Sequence, residues 1–272
     1  MRKMTIMLLP LVFSGCTLDG QPKVVEDPAP ILVVQEPVGT PSPSPAPTPS
    51  PEPQPAPAPA PEPAPTPGIL DDGKTVIVAE GDSITSPNSS GVYSGGFAAK
   101  YPNIEYHITA VGGSGLGGVI SRSETDMELK PDILTVFIGA NDFGDNAKGY
   151  ADKVFAYVKP FREMGTKVYI GTILPKLKAT TKMPDPVRNE ARREYAQIMQ
   201  DAVGTKIDGV FDFGGHPIIG QDGAPLNLQL FKDGLHPTWR NHGGGYGGHD
   251  YLFEVYEKTM LEALEQLERE QQ

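Results

Sequence analysis

Five short apolar runs punctuate the chain: Thr75–Ala79, Ile104–Val111, Ile133–Ile138, Lys167–Thr172 and Val210–Phe213. They are nearly continuous in apolar side chains, the pattern of strands covered on both faces. Elsewhere apolar residues recur at helical spacing. Ala147, Tyr150, Val154, Val158 and Phe161 form one stripe. Val187, Ala191, Tyr195, Ile198 and Ala202 form a second, and Phe253, Tyr256, Met260, Leu264 and Leu267 a third. Asp185-Pro186 offers the second helix an N-cap and a first-turn proline. Strands alternating with helices predict an α/β fold with a parallel sheet covered by helices on both faces. Such sheets build sites at the carboxyl ends of their strands, so the loops leaving each strand are where chemistry is expected.

The pattern changes entirely before residue 69. From Pro41 to Pro67 every second residue is proline. Each proline fixes φ and removes a donor, so neither helix nor ladder can form. An extended polyproline II segment of that length spans roughly 80 Å at about 3.1 Å per residue. Residues 16–68 are therefore expected to be a disordered proline-rich linker, either a spacer or a ligand for a proline-binding partner. The strict alternation offers no distinctive docking element, which favours the spacer. Upstream, Arg2 and Lys3 precede a short apolar run, Thr5–Phe13, too short to span a bilayer. Ser14 and Gly15 then lead to Cys16, the chain's one cysteine. This arrangement resembles the lipobox of bacterial lipoproteins, with Phe13 in place of the usual leucine. The resemblance implies a signal peptide at 1–15, a diacylated Cys16 and anchoring in the cell envelope. Thr17, where an aspartate would retain the protein at the inner membrane, points to the outer membrane.

Charge narrows the partners. Residues 1–68 carry 3 basic and 6 acidic groups and the remainder 20 and 28, for a net charge of −11. An acidic chain is not drawn to nucleic acid or to an anionic bilayer by its charge. With cysteine only at position 16, the expected body, 69–272, has no disulfide, no thiol nucleophile and no cysteine-bound zinc. Neither a metal nor a cofactor is expected.

Four loops carry polar residues that an apolar core would not select. Glu80-Gly81-Asp82-Ser83 follows the first strand, Gly112-Gly113-Ser114-Gly115 the second and Gly139-Ala140-Asn141-Asp142 the third. Asp233-Gly234-Leu235-His236 precedes the last helix. A serine hydroxyl needs a base near neutrality to become a nucleophile, and a carboxylate to orient that base. Asp233 and His236, three apart, suit those two parts. In order and placement these blocks resemble those of the SGNH (GDSL-type) hydrolases, over residues 75–265. The resemblance implies a three-layer, flavodoxin-like sandwich around a five-stranded parallel sheet. It also implies a triad of Ser83, Asp233 and His236, with an oxyanion hole from the Ser83 and Gly113 backbone N–H groups and the Asn141 amide. Ser83 is expected at a strand-to-helix turn, Asp82 as a local hydrogen-bonder, and Asp142 as a cap on the following helix. The chain departs from the pattern at 239–249, a glycine-rich insertion carrying Trp239, His242 and His249. Either it shapes the acyl pocket or contacts a sugar, or it is a loop without a part in the chemistry. Trp239 is read as a packing residue and His249 as a polar residue at a helix start.

The function expected is removal of a short acyl group, often acetyl, from a carbohydrate or related envelope polymer. The alternatives are a lysophospholipase or arylesterase, an acyltransferase on envelope polysaccharide, and an inactive envelope-binding module. One expectation is independent of the fold. Cys16→Ser should abolish acylation and move the protein from the membrane to the soluble fraction. Mass spectrometry of the wild-type amino terminus and fractionation of the variant check this, and a wild type without acyl mass removes the anchor.

Overall fold

The computed structural model describes residues 75–86 and 91–271. The expected signal peptide, Cys16 and the linker lie outside the described residues. Five strands form one all-parallel sheet: β1 (Val76–Gly81), β2 (Glu105–Ile108), β3 (Ile133–Phe137), β4 (Lys167–Gly171) and β5 (Gly209–Phe211). Their order is β2-β1-β3-β4-β5, the doubly wound arrangement of flavodoxin-like folds. The five helices are α1 (Tyr93–Lys100), α2 (Leu116–Glu128), α3 (Ala147–Glu163), α4 (Pro186–Asp201) and α5 (Gly248–Gln271).

Alternation along each strand divides the core in two. Ile77, Ile133, Tyr169 and Phe211 face the layer of α1 and α5, where Phe97, Tyr256, Met260 and Leu264 cover them. Val78, Leu134, Val168 and Ile170 face α2, α3 and α4, and pack on Val119, Val154, Phe161 and Tyr195. The expected three-layer sandwich is the one observed. The third stripe proves fully core-facing, and so does the first.

Several expectations need correction. β2 is shorter than its apolar run, and as an edge strand it leaves Glu105 exposed. β5 ends at Phe211, although Phe213 beyond it is buried in the same core. Two helices have no clear sequence stripe. α1 reads YSGGFAAK, too short and too rich in glycine to show one. α2 buries only Leu116, Val119 and Asp126. On α4, Asp185 caps the helix and Pro186 opens it as expected. Its stripe holds at Ala191, Tyr195 and Ala202, with Ile198 packed against the same core, and fails at the first turn. Val187 is 58% exposed, while Arg188, Asn189 and Arg192 are buried. Those arginines fill carbonyl-lined space at the ends of loops, so this helix hides a polar face that hydrophobic periodicity cannot reveal.

His249 stands at the start of the last helix as expected, but it is buried there. It is 5% exposed, inside α5 at its start, with its ring stacked on Tyr93 at 6.1 Å between centroids. Burial lowers its pKa from 6.5 to about 3, and Lys232, His236 and Arg240 add to the effect. The folded protein therefore keeps this ring neutral where an unfolded chain protonates it. His249 contributes its stability fully above pH 6.5 and loses it as pH falls towards 3. Over the two units from pH 6.5 to 4.5 the wild type should lose about 2 kcal/mol more than His249→Phe. Urea titrations of both across that window test this, and parallel slopes refute it.

Candidate active site

Three loops at the carboxyl ends of β1, β2 and β3 meet at the point where strand order reverses, between β1 and its neighbours. Ser83 leaves β1 in a single tight turn, in which the Thr85 and Ser86 N–H groups donate to the Asp82 carbonyl at 3.1 and 3.0 Å. Among the described residues no helix continues from this turn, contrary to expectation, and the next helix, α1, begins at Tyr93. The Asp82 side chain replaces the helix as the fixing element. Its carboxylate accepts from Ile84 N at 3.0 Å and from Ala140 N at 3.2 Å, pinning the serine turn to the loop after β3. Burial raises its pKa to about 6 against the pull of those two N–H donors. From the other side Thr85 Oγ1 meets Tyr93 OH at 2.9 Å, and Ser94 Oγ donates to the Thr85 carbonyl at 2.6 Å.

The turn at 233–236 brings the second half. Asp233 Oδ1 accepts from the backbone N–H groups of Leu235 (3.0 Å) and His236 (2.8 Å). Its Oδ2 lies 2.7 Å from His236 Nδ1. Gly234 has φ +80°, and a Cβ there would meet Leu177 Cδ1 at 2.7 Å, so both conformation and space require glycine. Burial pushes the Asp233 carboxyl up, but the hydrogen bonds from His236 and Leu235 outweigh it and hold the pKa below the ordinary value. An ionised carboxylate can only accept, so Nδ1 carries the proton and donates to it. Nε2 is then a lone-pair acceptor, and Ser83 Oγ, 2.8 Å away, donates to it. A hydroxyl so held can pass its proton to the ring as the oxygen attacks an electrophile.

The residues expected to supply oxyanion donors lie in the neighbouring loops. Built on Gly112, a Cβ would lie 3.9 Å from Ser83 Cβ, which sets the glycine loop against the nucleophile. Gly113, with φ +80°, is exposed. Neither its backbone N–H nor that of Ser83 has an acceptor among the described residues. Asn141 Nδ2 donates one hydrogen to the Ser114 carbonyl at 2.8 Å and keeps its second free. The structure thus brings Ser83, His236 and Asp233 into one hydrogen-bonded chain, with the glycine loop beside the serine and Asn141 bonded to that loop. Asp142 does cap a helix, but α2 rather than the one that follows it. Its Oδ2 accepts from Leu116 N at 2.6 Å and its Oδ1 from Tyr150 OH at 2.8 Å, while Asn146 caps α3.

Sequence reasoning missed Lys176 and Arg188. Lys176 Nζ donates to the Ala140 carbonyl at 2.6 Å. Arg188 donates to the carbonyls of Gly139, Phe143 and Leu174 at 3.1, 3.4 and 3.1 Å. The two cations brace the loop that carries Asn141. No signal marked them, because each looks like a surface charge on its own element. They also wall an open cleft of about 730 Å³ beside the Asp233–Leu235 turn, with Lys178, Lys182 and Asp185 on its rim.

The family model of the GDSL-like lipase/acylhydrolase family matches residues 79–242, 164 of the 272. The chain belongs to this family. It is an SGNH-type serine ester hydrolase. Solved structures of similar fold include a GDSL-like lipase from Bacteroides thetaiotaomicron (18% identity, TM-score 0.54, covering 71% of this chain and 88% of that one). Another is a putative acylhydrolase from Bacteroides fragilis (19%, TM-score 0.55, 71% and 90%). A third is a catalytic mutant of an acetylxylan esterase from Geobacillus stearothermophilus (16%, TM-score 0.50, 68% and 93%). Comparison with curated proteins gives no significant match.

Among the described residues, His236 alone of the five histidines meets a serine hydroxyl. His107 pairs with Glu105 at 2.9 Å, and His216 Nδ1 accepts from Ile218 N at 3.2 Å. His242 is exposed in a short 3-10 turn, and His249 is in the core. For a hydrolase of this family, His236→Ala should cost about 10³-fold or more in turnover. His242→Ala should stay within about tenfold. Steady-state assays on p-nitrophenyl acetate distinguish them, and near-normal turnover in His236→Ala removes it as the base.

Proposed function

We propose that this hydrolase removes short acyl groups, acetyl above all, from a carbohydrate or related envelope polymer, with Ser83 as nucleophile, His236 as base and Asp233 as its orienting carboxylate. The observation that carries the chemistry is the continuous relay from Ser83 Oγ through His236 to Asp233, at 2.8 and 2.7 Å. Ser83 Oγ attacks the ester carbonyl and gives its proton to His236 Nε2. Ser83 N–H, Gly113 N–H and the Asn141 amide receive the oxyanion. Collapse breaks the ester C–O bond, and the ring's proton leaves with the alcohol. A water then gives its proton to Nε2, attacks the acyl-serine, and releases the carboxylic acid and the free serine.

Two features support the substrate class. On the buried side of the serine turn, Ile84, Ala140, Leu174 and Leu235 enclose only about 10 Å³. That is about the room of one water, so no tunnel for a long acyl chain runs in that direction. On the open side, the cleft beside Asp233 is rimmed by Lys178, Lys182 and Asp185. Phe143, Leu177, Val187 and Leu235 also line this cleft, so it is the charged groups on its rim that suit a hydroxyl-rich alcohol. The Geobacillus acetylxylan esterase is similar in fold only and does not choose the substrate. The address belongs to the same proposal: a lipid on Cys16 holds the enzyme at the outer membrane, and residues 16–68 carry the catalytic domain away from the bilayer.

A panel of acetylated xylo- and gluco-oligosaccharides, p-nitrophenyl esters from C2 to C12 and lysophospholipids tests the reading. The expected result is highest kcat/KM on acetylated sugars and a steep fall beyond C4. Ser83→Ala should lose activity by several orders of magnitude without loss of Tm. Preference for C8 or longer esters, or for lysophospholipid, overturns the acetyl reading in favour of the lipolytic alternative.

A further inference from the structure

We infer that Arg122, paired with the buried Glu80, is a positioning residue that sets the oxyanion donors Gly113 and Asn141 against Ser83. This rests on the oxyanion assignment proposed above. Glu80 is the last acidic residue of β1, three before the nucleophile, and its side chain is fully buried. Its Oε1 accepts from Gly81 N at 2.7 Å, at the entrance to the serine turn. Arg122 reaches it from α2 as a fork, with Nη2 to Oε1 at 2.7 Å and Nε to Oε2 at 3.0 Å. The third nitrogen of the same guanidinium, Nη1, donates to Ser114 Oγ at 3.1 Å.

Ser114 joins the two loops. It directly follows Gly113, and its carbonyl is the acceptor that fixes the Asn141 amide at 2.8 Å. One guanidinium therefore links the exit of β1, the glycine loop after β2 and, through Ser114, the amide after β3. Those are the three loops that supply the three oxyanion donors. A planar fork spreads its donors over three nitrogens and can hold this geometry, whereas a lysine's three donors radiate from one atom and cannot reproduce the bidentate pairing. Asp126, one turn along α2, is buried beside this pair, and burial, then the neighbouring Glu80 charge, raise its pKa.

A misplaced donor costs turnover rather than substrate affinity. In the full-length protein with p-nitrophenyl acetate, Arg122→Ala should lower kcat and kcat/KM together by about ten- to a hundredfold. KM should stay within about twofold, and Arg122→Lys should fall between the two. Because Arg122 acts through Asn141 and Gly113, it should cost less in an Asn141→Ala background than in the wild type. Ser114→Ala removes only the hydroxyl link and leaves the Glu80–Arg122 pair intact. It should lower kcat in the same direction, and it carries the test if Arg122→Ala does not fold. Wild-type kcat in a folded Arg122→Ala or Ser114→Ala, or losses that multiply with those of Asn141→Ala, overturn the inference. An Asn141→Ala enzyme with unchanged kcat overturns the oxyanion assignment beneath it.

Discussion

The hydrogen bond from Ser83 Oγ to His236 Nε2 spans 153 positions of sequence, and most of the molecule serves to close it. A base that must take a proton during attack has to sit within hydrogen-bond reach before the substrate arrives. Neither residue could be held there by its own element. Ser83 is fixed by a turn that Asp82 ties to the loop after β3. His236 is fixed by a turn whose backbone and ring both terminate on Asp233. That second turn is itself anchored elsewhere: Leu177 N donates to the Gly234 carbonyl at 3.0 Å, and Lys232 N to the His236 carbonyl at 3.0 Å. The doubly wound sheet brings these anchors together because its connections reverse direction at β1, opening a crevice above the strand ends.

Loops above a parallel sheet carry carbonyls that no ladder satisfies, and this protein meets them with cations. Arg188 and Lys176 hold the loop of Asn141. Arg192 does the same for the loops after β5, donating to the carbonyls of Gly214 at 2.9 Å and Gly220 at 2.7 Å, and pairing with Asp222 at 2.5 Å. Each cation is partly or wholly withdrawn from water. Burial lowers the pKa of Arg188 to about 10 and also lowers that of Arg192. A buried guanidinium is tolerable here because its donors are occupied by oxygens in fixed positions. The consequence for function is stiffness. Loops held by several charge-assisted bonds cannot wander from the serine, and the donors they carry are preorganised rather than recruited.

What could be read from the sequence follows from which physics leaves a periodic or local mark. The sheet was legible because β1, β3 and β4 bury both faces, and the stripes of α3 and α5 because every residue of each is buried against the core. The meeting of Ser83, His236 and Asp233 was legible because a nucleophilic hydroxyl needs an imidazole and a carboxylate beside it. α1 and α2 were not, since one is too short for a stripe and the other covers the sheet with few apolar contacts. On α4 the apolar stripe was legible from Ala191 onward, but not the burial of Arg188 and Arg192, whose partners lie in three different loops. The start of α5 at His249 was legible, but not its burial: histidine in a glycine-rich stretch looks polar, and Tyr93 supplies a stacking surface that only the tertiary fold reveals. In these two cases the deciding contact was distant in sequence and polar or aromatic in kind.

β1 condenses the design into six residues, VIVAEG. Its first part, Ile77 and Val78, feeds the two apolar cores; its last part turns acidic at Glu80 and runs directly into Asp82. Both carboxyl groups are buried, which in an apolar surrounding would be strongly destabilising. Neither is left alone. Glu80 has a bidentate arginine and a backbone donor, and Asp82 has two backbone donors from different loops. Stability and activity therefore draw on opposite ends of the same strand. The apolar end supplies the burial that stabilises the domain, and the acidic end uses part of that stability to hold polar groups where water would otherwise claim them. A strand apolar to its tip would make a more stable sheet, and it would leave the serine turn and the glycine loop without a common anchor.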